Sequence, residues 1–225
     1  MDVLMSSSTM LVSNLSTVRK HVGTQANKIK GYGLSGTFES LSDKDIRDQM
    51  EVNFFGALNG TRKALEVMRT QSPPGGNIVQ VTSIGGLIGF PLMCMYSASK
   101  FAVEGLIMAI SGEVNPDWNI NFTCVEPGGF RTDFFSRSMT YTEKTHPAYG
   151  HVDVAAAMKK MHEVQMGDPP KGARAIYEAA VLPKPPARLL LGTDAYEWYQ
   201  GKLEEWSGEM KQNESISRST DVDAA

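Results

Sequence analysis

The stretch NIVQVTSIGGLIGFPLMCMYSASKFAVEGLIMAISGEVNPDWNINFTCVEPGG, residues 77–129, decides the fold. Its first seven residues form a short, largely apolar run that follows the breaker SPPGG, which suits a strand inside a sheet. Glycine-rich IGGLIGFP reads as a loop. Residues 95–113 then carry Phe101, Ala102, Val103, Leu106, Ile107, Met108 and Ile110. That density predicts a helix buried on nearly all sides. NINFTCVEP is the next strand, and GGFRTDFF turns out of it. Strands alternating with helices predict an α/β domain with a mostly parallel sheet.

Working outward, SDKD (42–45) is a capping-box-like helix start, with the Ser42 hydroxyl placed to accept from the Asp45 N–H. The helix behind it carries Ile46, Met50, Phe54, Leu58 and Leu65 at helical spacing. Downstream, GDPPKGARAIYEAA starts a helix with Asp168 at the cap and prolines in the first turn. ARLLLG is a last strand. DAYEWYQGKLEEW is an amphipathic helix expected to cover the sheet. Residues 213–225 form a polar tail. Residues 134–166 are less regular and rich in Met, Tyr and His. Phe134, Phe135, Met139, Tyr141, Met158 and Met161 are expected either to line an apolar pocket or to pack ordinarily. Residues 1–30 show no clear period, which leaves room for one short strand or for disorder.

A chain of 225 residues is one domain by length. Its net charge of −3 and lack of a dense Lys/Arg cluster argue against a nucleic-acid partner, which needs a basic face. No apolar run reaches transmembrane length, and the cytoplasm is the expected compartment. Cys94 and Cys124 lie in apolar segments, as buried thiols do. His146, His151 and His162 have no metal-ligand spacing, so no metal is expected.

Chemistry enters with Tyr96 and Lys100, one helical turn apart on one face. The pair alone is weak. Its setting strengthens it. Ser83 stands at the carboxyl end of a predicted strand, where an open α/β sheet places its ligand crevice. Pro127, Gly128 and Gly129 follow the next strand at the same end, and Asn53 lies on the preceding helix. With NFFG, VTSIGG, YSASK, PGGFRTDF and LLLGTDAYEWYQGKLEEW in this order and spacing, the chain from Gly31 to Trp206 resembles the short-chain dehydrogenase/reductase family. The retinol-dehydrogenase-like oxidoreductases are the most similar branch.

The resemblance implies a Rossmann-like, doubly wound parallel sheet and hydride transfer between NAD(P) and a small-molecule carbonyl or alcohol, NADP being favoured over NAD. It makes Tyr96 the general acid for reduction, or the base for oxidation. A free phenol has a pKa near 10, and each unit of lowering needs about 1.4 kcal/mol. The Lys100 ammonium is expected to favour phenolate and to hydrogen-bond the nicotinamide ribose. Ser83 would hold the reacting oxygen, an orientation effect. Asn53 would hold a water that relays protons. Pro127, Gly128 and Thr132 would grip the nicotinamide end. The helices bearing Asn53 and Tyr96 would mediate homo- or hetero-oligomers.

One family element does not appear. The glycine-rich turn TGxxxGxG, whose N–H groups approach the pyrophosphate at a helix N-terminus, has no counterpart here. GYGLSG (31–36) fits G-x-G-x-x-G by letter, but no convincing strand precedes it. MDVL resembles the start of the family's fourth strand, and residues 5–30 read as foreign sequence. Residues 1–30 are therefore expected to be an atypical segment, disordered or a gene-model artefact. Residues 31–212 are expected to be a truncated domain, the C-terminal portion of the fold. Loss of the family's first strand predicts an open central sheet edge. Three readings follow: an oxidoreductase, a catalytically impaired binding partner of a full-length relative, or an unstable fragment.

Overall fold

The computed structural model describes residues 10–12, in backbone only, and residues 31–222. In chain order they form strands β1 (Met10–Val12) and β2 (Gly33–Ser35), then helices α1 (Asp43–Met50) and α2 (Gly56–Thr70), joined by a π-helical turn at Glu51–Phe55. Strand β3 (Gly76–Val81), helix α3 (Cys94–Glu113) and strand β4 (Ile120–Pro127) follow. Next come the short helix α4 (Phe134–Arg137), strand β5 (Met139–Tyr141) and helices α5 (Val154–Glu163) and α6 (Pro169–Ala180). Strand β6 (Arg188–Leu191) and helices α7 (Thr193–Gln212) and α8 (Glu214–Arg218) complete the series.

The main sheet has the order β1-β3-β4-β6. β3, β4 and β6 are parallel, with Ile78 beside Phe122 and Val125 beside Leu189. Side chains alternate across them, so each strand feeds two cores. Ile78, Phe122 and Cys124 pack with Ala57, Ala64, Met68, Val103 and Ile107 of α2 and α3. Val79, Val81 and Val125 pack with Ile176 of α6 and Leu191. Helices thus cover both faces, the α/β arrangement that the sequence predicts.

The edge of β3, expected to be open, is partly closed. Met10–Val12 pair with Ile78–Gln80, but antiparallel. The expectations for residues 1–9 and 13–30, including MDVL, lie outside the described residues. GYGLSG builds a strand rather than a phosphate loop. Gly33–Ser35 run parallel to Met139–Tyr141. A Cβ at Gly33 would come within 2.9 Å of Phe134, and one at Gly36 within 2.4 Å of Thr142. Close approach is what these glycines serve.

The predicted caps form. Ser42 accepts from the Asp45 N–H in a reciprocal capping box, and Asp168 accepts from the Lys171 N–H at 2.9 Å. Three helix faces differ from expectation. The fully buried ridge of α1 and α2 is Gln49, Asn53, Ala57, Thr61, Ala64 and Met68, while Ile46, Met50, Phe54, Leu58 and Leu65 flank it half-buried. Helix α3 buries one face only, leaving Phe101 40% and Met108 60% exposed. Helix α7 covers the sheet only through its first turns, where Ala195 and Tyr199 meet Ile84 and Leu87. Leu203, Trp206 and Met210 beyond them are exposed, and residues 214–218 of the expected tail are helical.

Candidate active site

The carboxyl ends of β3, β4 and β6 open onto one cleft of about 1560 Å³. Such a volume exceeds the ~300–1,000 Å³ of an ordinary small-molecule site. Ser83 and Tyr96 line it, with Pro127, Gly128 and Thr132 from the turn after β4. Phe90, Met93, Phe134, Phe135, Met161 and Trp198 supply apolar wall. Of the six residues left open between pocket and packing, Phe134, Phe135 and Met161 line the cleft. Met139 and Met158 pack with Tyr96 behind it, and Tyr141 is exposed.

Tyr96 sits in the first turn of α3 and is 5% exposed. Its side chain hydrogen-bonds that of Ser83. The Ser83 Oγ also accepts from the Gly85 N–H at 3.0 Å, which fixes the hydroxyl in its turn. A Cβ at Gly85 would lie 3.2 Å from the Tyr96 ring, so a small residue there lets the phenol reach Ser83. Lys100 is 1% exposed, its Nζ 5.7 Å from the Tyr96 ring centroid and 3.5 Å from the Val81 carbonyl, to which it donates.

Burial outweighs the expected tuning by lysine. Desolvation pushes the Tyr96 phenol up to about 12, against the opposing Ser83 hydrogen bond. Desolvation also brings Lys100 down to about 7, against the pull of Glu104. Moving either group toward its neutral form is what a low dielectric does to an isolated charge. The phenol therefore holds its proton at neutral pH, and the lysine is poised between ammonium and amine.

Asn53 lies in the π-helical turn, 0% exposed, and faces away from the cleft. Its Nδ2 donates to the Tyr32 carbonyl at 3.0 Å and to Ser99 Oγ at 3.2 Å, and its Oδ1 accepts from the Tyr32 N–H at 3.1 Å. Gln49, one turn earlier, donates to the same carbonyl at 2.9 Å and accepts from the Leu34 N–H at 2.8 Å. The two amides act as a surrogate strand along Tyr32–Leu34. Two amides four residues apart were the available sequence signal.

A buried charge network, also missed, stands one turn beyond Lys100. Arg188 Nη1 lies 3.1 Å from Glu104 and 3.0 Å from Glu126. The Leu189 N–H donates to Glu126 at 3.1 Å, and Thr82 donates to Glu104. Glu104 and Glu126 each interrupt an apolar run, and a lone buried carboxylate requires a partner. Desolvation, then Glu104, pushes Glu126 up to about 8 from an ordinary 4.5, with Arg188 opposing. The folded chain therefore holds an extra proton across that window. Stability is expected to fall as pH rises from 5 to 7, by at most about 1.4 kcal/mol per unit. Lys100 acts in the opposite sense only above about 7. Urea unfolding should show the slope flattened in Glu126→Gln. An unchanged slope would refute the assignment.

The residues present fit the nicotinamide half of a dinucleotide. Tyr96, Ser83 and the Pro127–Thr132 turn face one opening, and a Cβ at Gly128 would lie 2.3 Å from Asp194. No glycine-rich strand–turn–helix cradle for a pyrophosphate occurs among the described residues. Cys94 and Cys124 are free thiols, the first half-buried and the second buried. Among the described residues no cluster could hold a metal ion, and no helix is long and apolar enough to cross a membrane.

A mostly parallel sheet covered by helices on both faces thus carries Ser83 and Tyr96 on one cleft at its carboxyl edge. The family model for the short chain dehydrogenases matches residues 4–142, and the chain belongs to that family. An uncharacterised oxidoreductase of Schizosaccharomyces pombe is 40% identical over 194 residues, 86% of this chain and 66% of that protein. An oxidoreductase of Penicillium decumbens is 39% identical over 182 residues, 77% of this chain and 60% of that one. The crystal structure of a short-chain dehydrogenase from Streptomyces avermitilis superposes with a TM-score of 0.75 at 36% identity, covering 85% of this chain and 69% of that one. The chain spans less than two thirds of the length of these two curated relatives.

Proposed function

We propose that the chain is an NAD(P)-dependent oxidoreductase that reduces a carbonyl group on a small-to-medium, largely apolar molecule, with NADP preferred and the cytoplasm as its compartment. The observation that carries this reading is the Ser83–Tyr96 hydrogen bond on the wall of the cleft. A bound reduced nicotinamide supplies the hydride. The Ser83 hydroxyl orients the carbonyl oxygen beside the phenol. Tyr96 gives its proton to that oxygen as negative charge develops on it. Lys100 places an ammonium near the phenol at and below neutral pH, easing the proton's departure. Asn53 ties the Tyr32 backbone to Ser99 on the helix that carries Tyr96 and so positions that helix. Pro127, Gly128 and Thr132 would hold the nicotinamide end, and Lys100 its ribose.

A protonated phenol favours reduction. Oxidation would first require its ionisation, which at a pKa of about 12 leaves roughly one phenolate in 10⁵ at pH 7. Titration of the purified chain with NADPH and NADH, followed by fluorescence, tests the reading. Low-micromolar affinity is expected, tighter for NADPH. No binding at millimolar concentration would overturn it.

The exposed Phe55, Phe101 and Met108 favour a second reading, in which the π-helical turn and α3 pair with another family member without catalysis. Co-purification with a full-length relative, together with no dinucleotide binding by the chain alone, would select it.

A further inference from the structure

One corner of the cleft holds acceptor oxygens for which the described residues provide no donor. Gln165, between α5 and α6, is 6% exposed, yet its Oε1 has no hydrogen-bond partner. Ser35, Gln71 and Gln80 also carry such oxygens, but only Gln165 of these four lines the cleft. Asp194, in the first turn of α7, lines the same wall. Its Oδ2 accepts from the Gly129 N–H at 2.7 Å, and its Oδ1 accepts from no described residue.

The two side chains close on one backbone point from different elements. A Cβ at Gly129 would stand 3.2 Å from Asp194 Oδ2 and 3.5 Å from Gln165 Cγ. Glycine at 128 and 129 leaves the turn thin enough for both to approach. A buried oxygen without a donor is costly, and native structures rarely retain one. The terminal torsion of a glutamine amide is soft, so the group can turn either end toward a ligand. A carboxylate oxygen beside an amide attracts N–H and O–H groups and repels carboxylates and phosphates.

We propose that Asp194 and Gln165, against Gly129, form a subsite that binds an N–H or O–H donor of the molecule in the cleft. Gln165 reads that donor, and Asp194 holds the turn against it. Two sources offer the chemistry. One is the carboxamide of a nicotinamide, which rests on the oxidoreductase reading. The other is a hydroxyl beside the carbonyl of the substrate, which does not need a dinucleotide.

Nitrogen-labelled full chain is titrated with four probes, and the Gln165 side-chain amide resonance is followed, assigned by its loss in Gln165→Leu. The probes are NADPH, its acetylpyridine analogue, in which a methyl ketone replaces the carboxamide, α-hydroxyacetophenone and acetophenone. The resonance is expected to move with the donor-bearing member of one pair and stay with its donor-free counterpart. The dinucleotide pair identifies the carboxamide, and the ketone pair identifies the hydroxyl. Gln165→Leu, its fold checked by an unchanged melting temperature, should weaken the responsible ligand about tenfold. Movement by neither pair, equal movement by both members, or unchanged affinity in the variant would overturn the subsite. Response to the hydroxyketone without dinucleotide binding upholds the subsite and sinks the oxidoreductase reading. Dinucleotide turnover with a silent Gln165 sinks the subsite alone.

Discussion

Replacing Tyr96 with phenylalanine is expected to lower carbonyl reduction by about 10³-fold or more while leaving dinucleotide affinity nearly unchanged. The substitution removes one oxygen and keeps the ring. That ring packs 5.4 Å from Phe134, centroid to centroid, and lies among Met93, Met139 and Met158. Ser83 loses one partner but still accepts from the Gly85 N–H. The cost to stability should therefore stay within about 1 kcal/mol. Turnover fails for a different reason, since the carbonyl oxygen gains charge with no proton within reach. Wild-type oxidation of the matching alcohol should rise with pH as the phenol ionises, and the variant should lose that rise. Steady-state rates in both directions, with a melting curve for each protein, test the claim. A variant that reduces at wild-type rate would remove Tyr96 from the chemistry.

The sequence displayed those parts of the fold that are encoded locally. Ser42 and Asp168 announced their helices because a cap is settled within four residues. NIVQVTS read as an interior strand because the run is largely apolar, and both of its faces proved covered. The tyrosine, lysine and serine were legible as a set because a strand end and a helix start fix their spacing. What stayed hidden depends on distant partners. Burial of Tyr96 needs Phe134, thirty-eight residues on, so the upward push on its phenol could not be read from the Lys100 spacing. The glycines of GYGLSG matched a phosphate motif by letter. Their small size in fact admits Phe134, Met139 and Thr142. The amides of Gln49 and Asn53 pair with backbone seventeen and twenty-one residues away, a reach that no local pattern signals. Met10–Val12 reach the exposed edge of β3 antiparallel, a pairing no periodicity in three residues could signal.

Arg188→Met should produce the largest loss of stability, about 3 kcal/mol at neutral pH. Arg188 holds two carboxylates whose side chains are 4% and 0% exposed. Methionine matches much of its length and none of its charge, which leaves Glu104 and Glu126 buried together without a cation. About a third of the Arg188 side chain reaches solvent, which screens part of the attraction and sets the lower end of the range for broken buried pairs. A loss of this size is a large share of the ~5–15 kcal/mol that holds an ordinary domain together. Lysine at this position should recover only part of it, because a point charge cannot fork between two carboxylates. The loss should grow at pH 9, because Glu126, pushed up to about 8, gives up its proton there in the wild type and Arg188 is what favours that ionisation. It should shrink in the triple variant Glu104→Gln, Glu126→Gln, Arg188→Met, in which no buried carboxylate is left without a cation. Urea unfolding at the two pH values measures all of this. If Arg188→Met costs under 1 kcal/mol at neutral pH, or costs the same at pH 9, then the arginine does not neutralise the pair. The helix carrying Tyr96 and Lys100 would then be anchored by its apolar face alone.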